Sequence, residues 1–174
     1  MSRKNRKRRD APARDSGRAP AGSGSNSISQ ATLIAGAALI AVAAILVFSP
    51  ARHFQFIALD DPQYVSANSR VLEGLSVDGL KWAFTATSFY WHPLTWISHM
   101  LDVELFGPSP GAHHMMNVLL HASSSASLFL ALAQMTRAIG ASAAVALLFA
   151  LHPLHVESVA WIAERKDALS TLFL

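Results

Sequence analysis

The chain has 174 residues, 52% of them hydrophobic and only 14% charged. Soluble domains carry roughly 25% charged residues, so an ordinary cytosolic domain is excluded. With no cysteine, disulfides, thiolate catalysis and cysteine-ligated metals are excluded too, and the net charge of +3 conceals a strongly basic N-terminus.

Residues 1–18 hold eight Lys/Arg against Asp10 and Asp15. Residues 1–30 are otherwise rich in Ser, Gly, Pro and Ala, with too little apolar surface to offset the entropy of ordering; a disordered tail is expected. Such a tail alone would suit nucleic acid. Its place before a long apolar run reads instead as a membrane-topology signal, so no nucleic-acid partner is expected. Residues 31–48 (ATLIAGAALIAVAAILVF) contain no strongly polar side chain. At about 1.5 Å per residue, a helix over 31–49 crosses a hydrocarbon core of about 30 Å. The run exceeds the roughly 7–15-residue core of a cleaved signal peptide, which favours an uncleaved anchor. The positive-inside bias then puts the N-terminus in the cytoplasm and the chain outside near Pro50.

Residues 50–112 read as an extracytoplasmic loop with interfacial helices. Ser76 precedes a short helix through Leu80, Trp82 and Phe84, and Pro93 opens another that aligns Leu94, Ile97, Leu101 and Leu105 on one face. Trp82, Tyr90, Trp91 and Trp96 suit the membrane–water boundary. After the turn Gly107-Pro108-Ser109-Pro110-Gly111, a second span is expected over 114–135. Asn117, His121 and Ser123-Ser124-Ser125 give it a face for helix packing. A third helix over 138–151 ends early at His152-Pro153, in a polar cavity lined by protein. Residues 152–167 form a second outer loop, and the uncapped apolar stretch 168–174 is the start of a fourth span. The expected fold is all-α: a polytopic transmembrane helical bundle, of which this chain is an N-terminal fragment.

Three groups of residues can carry chemistry. Asp60-Asp61 lies a short way beyond the first span, and either carboxylate can serve as a general base; equally, Asp before Pro62 suits a helix start. His92, His152, His155 and Glu157 can shape a cavity or orient an acceptor. Histidine with carboxylate can also ligate zinc or manganese, although the spacing lacks the HExxH form, and no metal is assigned. Arg165-Lys166 places two cations outside, against the usual bias, and an anionic partner such as a phosphate explains them.

The stretches 59–64 (LDDPQY), 91–102 (WHPLTWISHMLD), 113–121 (HHMMNVLLH) and 152–167 (HPLHVESVAWIAERKD) resemble the polytopic O-mannosyltransferases that carry C-terminal tetratricopeptide repeats. These are similar to members of the C-type glycosyltransferase superfamily. The resemblance implies a lipid bilayer, a polyprenyl-phosphate sugar donor and a protein acceptor as partners. It implies Asp60 or Asp61, with Asp60 preferred, as catalytic base, and Arg165 and Lys166 at the donor phosphate. Transfer of a hexose, mannose by preference, to Ser/Thr hydroxyls would occur outside the bacterial inner membrane, or in the endoplasmic reticulum of a eukaryote. A non-enzymatic transporter and a metal-dependent membrane hydrolase are the alternatives from the residues alone.

Overall fold

The computed structural model describes residues 28–86 and 90–174, all helix and loop without a strand among them. The expected tail lies outside the described residues except for its last three positions. Eight α-helices follow in order: α1 (Gln30–Phe48), α2 (Ser69–Leu72), α3 (Val77–Thr85), α4 (Pro93–Phe106), α5 (Pro110–Thr136), α6 (Ile139–Leu151), α7 (His155–Ala160) and α8 (Arg165–Phe173). A 3-10 turn extends α1 to His53, and a turn of π-helix spans Pro62–Ser66.

Among the described residues, two segments are long and apolar enough to cross a membrane, Gln30–His53 and Pro110–Thr136. The second begins at Pro110 rather than at His114, because Pro110 pre-sets the dihedral angle of a first turn. It ends at Arg137, whose φ of 60° is the left-handed closure usually given to glycine. With 13 residues, α6 is about 20 Å long, short of a full crossing. Pro153 stops its continuation.

Small side chains bring α1, α5 and α6 together. Ala37, Ala44, Ala122, Ala133, Ala146 and Ala150 are buried around Ile40 and Phe129. Gly36 leaves room for the Phe129 ring, since a Cβ there would lie 2.6 Å from it. Close backbone approach of this kind is how apolar helices associate where water offers no hydrophobic drive. The serine patch is satisfied locally: Ser123, Ser124 and Ser125 donate to the carbonyls of Leu119, Leu120 and His121.

A second core sits beyond one end of these helices. Tyr64, Val65, Val71, Ala83, Trp96 and Met100 pack with Ile162 and Ala163, so both expected outer loops build one body. As read from the sequence, Ser76 caps α3, its Oγ accepting from Gly79 N–H at 2.9 Å. The interfacial placement of Trp96 does not hold. It is buried, stacked on Tyr64 with ring centroids 4.8 Å apart and edge-on to Trp82, while Tyr90 and Trp91 stay exposed. On α4 the stripe Leu94, Leu101 and Leu105 is exposed, and the opposite face, with Trp96, His99, Met100 and Asp102, turns inward. Asp102 finds Arg165 and His113 there, while Trp96 Nε1, His99 Nε2 and Asp102 Oδ1 are buried without a partner.

Candidate active site

The two aspartates part company. Asp61 is fully buried, and its carboxylate accepts from the backbone N–H of Ile57 at 2.8 Å and of Ala163 at 3.2 Å. It makes no side-chain cap on the turn it precedes, so the helix-start role falls away in favour of a tie between the two loops. Asp60 is exposed. Its charge acts on Tyr64, whose phenol is pushed up to about 12 by burial and then by Asp60, Glu164 and Tyr90.

Lys166 reaches the same ring from the second loop. Its Nζ stands 6.0 Å from the Tyr64 centroid and donates to Glu164 Oε1 at 2.6 Å. Lys166 also borders a mostly apolar hollow of about 470 Å³ with Trp91, His92, Leu94, Leu169 and Phe173. His92 is held below its ordinary value by burial and then by the Lys166 charge, so it faces the hollow neutral at pH 7. Across the Tyr64–Trp96 stack lies a more polar cleft of about 410 Å³, bordered by Gln63, Arg70, Trp82 and Tyr90.

Arg165 is not free to meet a phosphate. It opens α8, which begins before the expected 168–174 stretch, and its side chain is fully buried. Nη1 donates to Asp102 Oδ2, Nε to Asn117 Oδ1 at 2.8 Å, and Nη2 to the His113 carbonyl at 2.7 Å. A guanidinium so committed has exchanged hydration for fixed partners, and a carboxylate already balances its charge. Lys166, by contrast, is partly exposed, although it too is paired, with Glu164.

His113 Nδ1 faces the same Asp102 oxygen at 2.9 Å, and His99 Nδ1 lies 3.3 Å from His113 Nδ1. Burial, then the nearby Arg165 and His113, hold His99 well below the ordinary imidazole value. His99, Asp102 and His113 thus gather three metal-type donors within 4.8 Å. Their chemistry fits a divalent ion, but their electrostatics do not: Arg165 already neutralises Asp102, and an ion would leave excess positive charge in a dry site.

The cavity expected from His152, His155 and Glu157 is not formed. His152 borders an apolar hollow with Phe54 and Leu151, His155 a small polar one with His121 and Asp167, and Glu157 a third with Ile57 and Trp161. None of the three includes Lys166. The His152 and His155 rings stay neighbours, with centroids 6.4 Å apart, but border different hollows. Sequence reasoning gave no role to Tyr64, His99, Asp102 or His113. The His99–Asp102 and His113–Asn117 spacings, three and four on a helix, are the signal that each pair shares a face.

No family model matches this chain, and no solved structure matches it. Among characterised proteins it is 32% identical over 149 residues to protein O-mannosyl-transferase TMTC1 of Mus musculus, covering 78% of this chain. The chain is a relative of the protein O-mannosyl-transferases. Two human members, TMTC3 and TMTC2, are 32% and 37% identical over 83 and 84 residues, each covering 48% of this chain. The chain spans 15% of the mouse protein's length, and 9% and 10% of the two human ones. Its two long apolar helices and this kinship mark a membrane protein.

Proposed function

We propose that the chain is the membrane-embedded part of a glycosyltransferase that moves a hexose, mannose, from a polyprenyl phosphate to protein Ser/Thr hydroxyls. The observation that carries this reading is an exposed carboxylate, Asp60, one turn before Tyr64, with the Lys166 cation over the Tyr64 ring and at the border of an apolar hollow. A prenyl chain suits the hollow, and its phosphate meets Lys166 at the rim. The polar cleft across the Tyr64–Trp96 stack offers the acceptor a place with aromatic and amide surfaces. In this reading the chain is part of a polytopic bundle, with the N-terminus cytoplasmic and residues 50–112 and 152–167 outside.

In the reaction the acceptor oxygen attacks the anomeric carbon as its proton passes to Asp60. The bond from that carbon to the phosphate oxygen breaks, and the leaving phosphate takes the electron pair. Lys166 stabilises the charge that develops there, which is where a fixed cation has its largest effect. Configuration inverts. Proton removal by a placed carboxylate contributes typically about 10²–10⁴-fold.

The test uses the full-length protein in liposomes, with mannose-labelled polyprenyl phosphate and a Ser/Thr peptide. Label should pass to a peptide hydroxyl. Label left on the lipid, or released as free mannose, would defeat the transferase reading.

A further inference from the structure

The buried Arg165–Asp102 pair lies outside the chemistry just described, yet it immediately precedes Lys166 in the chain. The segment around Lys166 is pinned at three points. Asn117 Nδ2 donates to the Trp161 carbonyl at 2.9 Å, Asp61 accepts from Ala163 N–H, and Arg165 grips α4 and α5 through Asp102, Asn117 and the His113 carbonyl. Lys166 follows directly on the last of these anchors, partly exposed, paired with Glu164 and held over Tyr64. Neighbouring side chains on a helix point about 100° apart, so fixing the guanidinium inward fixes the direction in which the ammonium leaves.

We propose that Arg165 and Asp102 are positioning residues that aim Lys166 at an anionic headgroup at the rim of the hollow bordered by His92 and Leu169. A pair built only for stability would have no need of this geometry. A well-packed apolar pair of similar volume is often as stable as a buried ion pair, whereas a planar guanidinium with four partners on two helices fixes one orientation. His113 adds to it by donating to the same Asp102 oxygen. Lysine at position 165 would keep the charge and lose the fork.

The proposal rests on Lys166 as the phosphate contact, and a double-mutant cycle in the full-length protein separates the two claims. Binding of mannosyl phosphate on a short prenyl chain is measured for Lys166→Gln, Arg165→Lys, Asp102→Asn and the combinations with Lys166→Gln. Each single change should weaken binding about tenfold, and the combinations should be no weaker than Lys166→Gln alone, because coupled residues are non-additive. Additive losses would overturn the positioning role, since a purely structural pair acts independently of Lys166. Loss of folding in both Arg165→Lys and Asp102→Asn would overturn it as well. Unchanged binding by Lys166→Gln would instead sink the donor-site reading itself.

Discussion

Asp61 accepts a hydrogen bond from the backbone N–H of Ala163, a residue 102 positions further along the chain. The same carboxylate binds Ile57 N–H, so one buried side chain closes its own turn and fastens a second loop to it. Asparagine offers a single amide oxygen and must abandon one of the two donors. Leaving a buried N–H without a partner costs about 1–3 kcal/mol. Asp61→Asn should therefore lower the thermal midpoint of the purified protein, and Asp61→Ala should lower it further. An unchanged midpoint in both variants would remove the tie.

Gly111 begins α5 against the end of the α1 extension. A Cβ there would run into the carbonyl oxygen of Arg52, which is backbone and cannot swing aside. Gly111→Ala should push the two segments apart and cost about 1–3 kcal/mol, as overpacking does. Gly140 is the matched control, because nothing lies within 4 Å of a Cβ at that position in α6. There alanine should be neutral or raise stability by up to about 1 kcal/mol. Equal midpoints for the two alanine variants would count against the close approach.

Much of the helical order was legible because it is written in local chemistry. The apolar run before Phe48, the Ser76 cap and the Pro93 and Pro153 boundaries act within a turn or two of themselves. The Arg165 network was not legible in this way. Arg165 looks like half of a basic pair until α4 and α5 bring Asp102 and Asn117 to it, 63 and 48 residues away in sequence. Trp96 misled in a related way, since aromatic residues suit both an interface and a core, and only its stack on Tyr64 decides between them. His152, His155 and Glu157 look like a cluster in sequence, and the structure sets them on three separate hollows.

The topology proposed above has its own check in introduced cysteines, since the chain has none of its own. Ser69 and Glu157 are exposed and lie on the two outer loops. Ser69→Cys and Glu157→Cys should react with an impermeant maleimide in intact cells, and Ser16→Cys should react only after permeabilisation. Labelling of Ser16→Cys from outside would invert the orientation and take the proposed site away from the outer face.

The division of labour between Asp60 and Asp61 gives the most exposed prediction. Adjacent side chains diverge, and the structure uses that divergence: Asp61 turns inward to two amide donors while Asp60 stays in reach of solvent. In the proposed reaction Asp60, the exposed one of the two, takes the proton from the incoming hydroxyl. Asp60→Asn keeps shape and most hydrogen bonding but cannot accept that proton, so in the full-length protein kcat should fall about 10²–10⁴-fold. Donor affinity and thermal midpoint should stay at the starting values, because the Asp60 side chain supports neither. Asp61→Asn should show the opposite pattern, a lower midpoint with a smaller fall in turnover of the folded fraction. Wild-type turnover by Asp60→Asn removes the base assignment, and wild-type turnover by the double asparagine variant removes carboxylate catalysis from this site altogether.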